Sequence, residues 1–414
     1  MAKFLLYDGL LTTTPDQQGA LAYATTNPTT TRQSLGAETT ATGESIRYTR
    51  LETPYATTAT TARSGYSNYQ ALSATLVKNT FPVLNRSQGF NLSFRLRINA
   101  ESHSSDVNGD GLIDRAGYSV TLLGSDRQGI ELGFWNNEIW AQQDGTRLFC
   151  HSPTERALQA TTPWVGYDLL VVGDKYYLSA NSSVILQGTI KNYGAFNHVL
   201  AGLPYDPYEQ ANFLFLGDNT SSAGSSSDLA SLAINPADLK STGNDNVAAG
   251  MGEDVINGGD GNDSLHGGDG GDVLIGAAGA DSLNGGRGSD RLFGQAGADR
   301  FVFDSGAIFT TDAFGIDTIM DFVTGEGDRI VLDKTSFTAL ASAAGNVLSV
   351  PGDFSTVTSS ALAATSAARI CYDINTAGLY YNQNGSAAGF GGGGLFATLL
   401  GQPSLSAADF MIQL

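Results

Sequence analysis

Between Phe90 and Ile234 the chain falls into short segments in which apolar and polar residues alternate, the period of a half-buried strand. Phe90–Ile98 reads Phe-Asn-Leu-Ser-Phe-Arg-Leu-Arg-Ile. The series continues through Gly117–Leu123, Gly129–Trp135, Glu138–Ala141, Tyr167–Val172, Tyr176–Ala180, Phe213–Leu216 and Leu229–Ile234. Many short strands separated by turns predict an all-β sandwich. Residues 11–70, rich in Thr and Ala, carry little pattern. Past residue 240 a longer beat takes over. Aspartates stand at 245, 254, 263, 272, 281, 290 and 299, an unbroken period of nine. Two residues before each is a glycine, and two after each an apolar residue, from Val247 and Ile256 to Leu292 and Phe301.

The clearest copies are Gly258–His266 (Gly-Gly-Asp-Gly-Asn-Asp-Ser-Leu-His) and Gly267–Ile275 (Gly-Gly-Asp-Gly-Gly-Asp-Val-Leu-Ile). They resemble the RTX nonapeptide, GGxGxDxUx. Each position has a physical reason. Glycine allows the positive-φ backbone that turns carbonyl oxygens toward one point. Ca²⁺ takes about six to eight oxygens, which carbonyls and aspartate carboxylates supply. The apolar position marks a very short strand pointing its side chain inward. The resemblance implies a parallel β-roll with two nonapeptides per turn and an ion clamped between copies two apart. The implied pairs are 245/263, 254/272, 263/281, 272/290 and 281/299. Candidate metal-site residues are therefore Asp245, Asp254, Asp263, Asp272, Asp281, Asp290 and Asp299. Asp260 and Asp269 join them from the two best copies, with Gly259, Gly261, Gly268 and Gly270. Glycine- and aspartate-rich segments are usually disordered linkers, but three features in strict register over seven copies argue against that here. Thr242, Ala249, Ala277 and Gln295 replace leading glycines and Arg287 adds a cation, so the outermost sites are expected to be weak. The stacked apolar residues form a core too thin to overcome chain entropy unaided. A site at ten times its dissociation constant adds about 1.4 kcal/mol, and five add about 7 kcal/mol, comparable with a domain's whole stability.

After the repeats, Asp317–Leu332 (Asp-Thr-Ile-Met-Asp-Phe-Val-Thr-Gly-Glu-Gly-Asp-Arg-Ile-Val-Leu) resembles the DxIxDFxxGxDxIxL stretch that follows the roll in serralysin-like RTX proteins. Arg369–Tyr381 alternates like a hairpin around an Asn-Thr-Ala-Gly turn. The closing Phe396–Leu414, with Asp409 before a few apolar residues, is similar to the uncleaved C-terminal signal of that family. The resemblance implies type I secretion through an ABC transporter and an extracellular or cell-surface location. Residues 305–414 would also cap the roll, whose open end is an edge-strand liability.

The N-terminal pieces, FxLSFxLxI, then GxELGFW and IWAQ, then hairpins around Tyr167–Ala180, resemble concanavalin A-like jelly rolls of the laminin-G type. The expected organisation is a jelly-roll sandwich over 1–235, a β-roll over 236–304 and a cap with the export signal over 305–414. One sandwich loop, Asp106–Asp114, places Asp106, Asn108, Asp110 and Asp114 at positions 1, 3, 5 and 9 of an EF-hand-like loop. Position 12 is Gly117 rather than Glu, so a Ca²⁺ site competes there with a solvated Asx-rich turn.

Charge and composition narrow the function. The net charge of −19 argues against nucleic acid, which needs a basic face. Residues 241–304 alone carry a net −8, which divalent cations would neutralise. Cys150 and Cys371 make no disulfide framework, and no stretch is apolar for long enough to predict a transmembrane helix. Neither HExxH nor GxSxG occurs. Glu131 and Glu138 lie near Trp135 and Trp140, yet form no recognisable glycosidase cluster and are expected to face solvent. The chain is expected not to be an enzyme. A structural or adhesive surface component, assembling with itself or with cell-surface polysaccharide, is one reading. A lectin-like module with Trp135, Trp140, Tyr205 and Tyr208 exposed along a groove is the other.

Overall fold

The computed structural model describes residues 3–25, 31–53, 64–70, 74–103, 113–114, 116–144, 150–196, 206–219, 223–239 and 242–414. Contacts divide the chain into two compact units, Ala2–Pro236 and Ala237–Leu414. Both are built almost wholly of strands.

The first unit is a jelly-roll sandwich of two antiparallel sheets. One sheet runs Ser183–Thr189, Lys175–Ala180, Val165–Val172, Phe90–Ser102, Gly224–Pro236, Ser45–Glu52 and Arg32–Thr39, with Phe4–Asp8 also paired to Gly224–Pro236. The other runs His151–Leu158, Glu138–Gln142, Gly129–Phe134, Ser119–Leu123, Leu214–Asp218, Ser64–Ser67 and Ala22–Thr25. Strand alternation decides which side chains enter the core. Leu92, Phe94, Leu96 and Ile98 are buried between the sheets with Val120, Leu122, Ile130, Leu132 and Phe134. Arg95 and Arg97, from the same strand, point the other way and meet carboxylates. Arg97 and Arg50 both reach the buried Asp228, at 2.6 and 2.7 Å, and Arg97 also pairs with Glu38 at 2.8 Å. The weakly patterned stretch is also strand: Ala22–Thr25, Arg32–Thr39, Ser45–Glu52 and Ser64–Ser67 all lie within residues 11–70. Arg32–Thr39 is exposed or half-buried throughout, so no apolar beat was needed to place it.

The second unit is a parallel roll of two facing sheets. Asn246–Met251, Ser264–Asp269, Ser282–Arg287 and Arg300–Phe303 stack on one side, and Val255–Asp260, Val273–Ala278 and Arg291–Ala296 on the other. The register is eighteen residues per turn: Leu265 sits beside Leu283, and Ile256 beside Leu274. The roll does not end with the nonapeptides. Asp317–Ile319 adds in parallel to Arg291–Ala296, and Arg329–Asp333 to Arg300–Phe303. Gly394–Leu399 and Phe410–Gln413 then add in parallel to Asp317–Ile319 and Arg329–Asp333, and beyond Gly394–Leu399 that sheet continues through Gly378–Tyr381, Ile370–Asp373 and Phe354–Val357. The inward Ile256, Leu265, Leu274, Leu283, Leu292 and Phe301 share one core with Phe309, Phe314, Phe337 and Phe396 from the C-terminal segment. No helix among the described residues is long and apolar enough to cross a membrane.

Candidate metal centre

The roll repeats one hydrogen-bond pattern at every turn. The backbone N–H of each aspartate donates to Oδ1 of the aspartate eighteen residues on. The distance is 2.8 Å for Asp245 to Asp263, Asp254 to Asp272, Asp263 to Asp281 and Asp272 to Asp290. It is 2.9 Å for Asp281 to Asp299. One oxygen of each accepting carboxylate is thereby fixed. The other, Oδ2 of Asp263, Asp272, Asp281, Asp290 and Asp299, is buried and has no hydrogen-bond partner. A buried charged oxygen without a partner is costly unless a cation faces it.

The space around these oxygens is also specified. A Cβ on Gly258, Gly267, Gly276, Gly285 or Gly294 would stand 2.1–2.3 Å from Oδ2 of the aspartate five residues on. In these five copies the first glycine is required by the carboxylate beside it. Conformational freedom is thus only half of what glycine supplies here. At Gly270 both reasons apply: its φ is +140°, and a Cβ would lie 2.2 Å from the Gly252 carbonyl oxygen. Ala277 and Gln295 hold the same left-handed backbone, φ +80° and +64°, without being glycine.

Electrostatics agree with the geometry. Without a cation, burial and then neighbouring carboxylates push Asp272 and Asp299 up to about 7. Burial pushes Asp290 up to about 6 and raises Asp281 as well. The donor set is hard, anionic and built of oxygen, which fits Ca²⁺. Among the described residues no three His, Cys, Asp or Glu side chains converge on one point. The carboxylates are instead spaced by turns, so the rest of any coordination shell falls to the backbone carbonyls of the glycine loops. Asp263, Asp272, Asp281, Asp290 and Asp299 would hold the ions. Each ion would supply the positive charge that keeps them ionised and joins successive turns.

Two aspartates outside the nonapeptides continue the ladder. Asp290 N–H donates to Asp317 Oδ1 at 3.1 Å, and Asp299 N–H to Asp328 Oδ1 at 3.0 Å. Both are buried, and burial raises both above the usual carboxylate range. Among the sequence candidates, Asp245 and Asp254 are half-buried at the head of the ladder, and Gly259, Gly261, Gly268 and Gly270 all have positive φ. Asp260 and Asp269 are exposed and lie off the ladder, Asp269 standing 3.9 Å from Arg287. Asp106, Asn108 and Asp110 fall outside the described residues. Asp114 is buried, and its Oδ1 accepts the His151 N–H at 2.8 Å.

The sandwich corrects two expectations. Glu131 and Glu138 do not face solvent: they are 3 % and 7 % exposed. Glu131 accepts from Tyr208 Oη, from Thr121 Oγ1 at 3.2 Å and from Asn219 Nδ2 at 2.7 Å, which ties the 206–219 segment to the sheet. Glu138 meets His151 Nε2 at 3.1 Å and Arg156 at 3.4 Å. Trp140 and Tyr208 are buried rather than exposed along a groove, and Trp135 is half-buried. Tyr205 lies outside the described residues. Alternation with the inward Ile130, Leu132, Phe134, Ile139 and Ala141 places Glu131, Glu138 and Trp140 on the outer face of the sheet, and that face is covered.

A family model for the RTX calcium-binding nonapeptide repeat (four copies) matches residues 241–274 and 275–307. No curated protein matches the chain significantly. Three solved structures share parts of it. Alginate lyase A1-II′, a member of polysaccharide lyase family 7, is 12% identical over 56% of this chain and 93% of its own, with a TM-score of 0.28. The AlgE6R3 subunit of the Azotobacter vinelandii mannuronan C5-epimerase is 23% identical over 42% of this chain and 80% of its own, at 0.19. The botulinum neurotoxin serotype G binding domain is 10% identical over 49% of this chain and 42% of its own, at 0.25. Likenesses at TM-scores this low carry no weight for the chemistry of this chain. The ladder of buried carboxylates and the match of its sequence agree: residues 241–307 are RTX calcium-binding nonapeptide repeats.

Proposed function

We propose that this is an exported protein whose C-terminal unit folds on meeting Ca²⁺ outside the cell, where the whole chain serves as a structural or adhesive component of the surface or matrix. The observation that carries the reading is the row of five buried Oδ2 atoms without a partner, one to each half-turn of the roll. A roll with its carboxylates facing nothing is a poor fold, and the same roll with Ca²⁺ between its turns is a good one. Calcium-poor cytosol therefore favours an unfolded, transportable chain, and calcium-rich surroundings favour the roll. Export by a type I ABC transporter follows from the C-terminal resemblance. A non-enzymatic role is supported by Glu131 and Glu138, whose carboxylates are taken up by side chains of the sandwich itself.

Calorimetry of the full chain tests this. With Ca²⁺ we expect two unfolding transitions, one of which moves to lower temperature or disappears when calcium is stripped and is not restored by Mg²⁺. Two transitions indifferent to calcium would mean that the repeats form an ordinary solenoid, and the reading would fail.

A further inference from the structure

The six-stranded sheet of the roll is closed at one end and open at the other. It begins with Asn246–Met251 and ends with Phe410–Gln413. At the far end the chain folds back over its own edge. Ile412 N–H donates to the Asn346 carbonyl at 2.9 Å, and Gly345 N–H to the Ile412 carbonyl at 2.7 Å. At the near end Asn246–Met251 pairs with Ser264–Asp269 on one side, and among the described residues no strand pairs with its other side. The facing sheet does not share this gap, because Asp238–Leu239 adds in parallel to Val255–Asp260.

Burial, compared turn by turn, shows the missing neighbour. Asp263, Leu265 and Gly267 are buried. At the same places in the first turn, Asp245 and Val247 are only half-buried and Ala249 is exposed. Met251 is 87 % exposed. A free edge presents a row of backbone N–H and C=O groups that another strand can match. Charged side chains and proline are common guards against such pairing. Asn246-Val-Ala-Ala-Gly-Met251 has neither, in a chain whose net charge is −19. Its Ala248, Ala249 and Gly250 are small enough to let a second backbone come close. The strand is also its own complement, since an antiparallel copy meets each free donor with an acceptor.

We propose that Asn246–Met251 is an interface at which a second copy of this chain pairs edge to edge, joining the two six-stranded sheets across a two-fold axis. The other end of the sheet is closed, so the contact joins like to like and stops at a dimer. Calcium is needed twice. It folds the first turn, and it neutralises Asp245, Glu253 and Asp254, which flank the strand and would otherwise repel the same residues of the second copy. The proposal rests on the reading of a calcium-folded structural component and deepens it by naming the surface that joins copies.

Sedimentation of the full chain in Ca²⁺ and in chelator tests this. In calcium the mass should rise with concentration from monomer to dimer and no further, and in chelator it should stay monomeric. Ala248→Glu sets like charges at the seam and should weaken the dimer about tenfold. His266→Glu, at the matching outward position one turn in, should leave the dimer unchanged. Amide exchange in the wild-type protein reads the seam directly. The N–H groups of 246–251 that face away from Ser264–Asp269 should exchange more slowly as the dimer fills, which decides the matter even if Ala248→Glu fails to fold. A monomer at every concentration overturns the proposal, as does dimerisation of Ala248→Glu at wild-type strength. It also falls if the dimer persists in chelator or if assemblies grow beyond two chains. Calorimetry keeps the two readings apart: with the calcium-dependent transition intact, any of these results removes the interface and leaves the folding switch standing. Absence of that transition removes both.

Discussion

At the scale of single residues, the repeat is a contract between a glycine and the aspartate five positions on. Gly276 shows it: a Cβ there would lie 2.3 Å from Asp281 Oδ2, the oxygen that has no other partner. Gly276→Ala must therefore push the carboxylate out of line, although residue 276 has no positive φ to lose. Asp281→Asn is the complementary change. It keeps an oxygen to accept the Asp263 N–H but removes the charge that a cation needs. Asp281 also belongs to two turns, since its own N–H donates to Asp299. Each variant should lower the melting temperature measured in calcium, whereas Asp281→Asn, which removes a buried charge, should slightly stabilise the metal-free roll. At calcium about ten times its dissociation constant, each lost site removes about 1.4 kcal/mol. If both variants bind calcium as the wild type does, by titration calorimetry, the buried Oδ2 atoms are not ligands.

At the scale of elements, the roll is longer than its repeats. The step along the ladder is eighteen residues until Asp290 and Asp299, then 27 to Asp317 and 29 to Asp328. The added residues hold Phe309 and Phe314, which enter the core beside Phe337 and Phe396, so the excursion builds the cap without breaking the stack. Asp317→Asn and Asp328→Asn should each raise the calcium concentration needed for folding about as much as a change inside the repeats. If the two carboxylates only cap the amides of Asp290 and Asp299, asparagine will serve as well and the midpoint will stay put. These positions mark the border of what could be read beforehand. The nonapeptides announce themselves by period, and Leu265, Leu274 and Leu283 fall inward as their spacing requires. Asp317 and Asp328 keep the Asp-x-Ile triplet of a repeat in Asp317-Thr-Ile319 and Asp328-Arg-Ile330, but a search at period nine stops before them. The pairing of Ile330 with Phe410 spans eighty residues with no internal repeat to announce it. In the sandwich, alternation puts Glu131 on the outer face, whereas the Tyr208 that covers it comes from a segment distant in sequence.

At the scale of the whole molecule, the same carboxylates act in opposite directions with and without calcium, and pH exposes the sign. Burial raises Asp272 and Asp299 to about 7 and Asp290 to about 6 when no cation is present. In the unfolded chain they titrate near the ordinary aspartate value of about 3.9. Between about pH 4 and 7 the metal-free roll thus binds more protons than the unfolded chain, so its stability falls as pH rises through that window. With calcium the sign reverses. The ion needs ionised oxygens, protons compete with it, and stability should rise with pH over the same range. Melting temperatures of the C-terminal unit from pH 5 to 8, in metal-stripped buffer and in excess Ca²⁺, should therefore slope in opposite directions, with the sandwich transition as an internal reference. Slopes of the same sign would mean that the carboxylates are not where ion and proton compete. Opposite slopes would show that near neutral pH and without calcium the ionised ladder opposes its own folding, as the proposed export of an unfolded chain requires. With calcium, the charge that opposed the fold would become the charge that holds it.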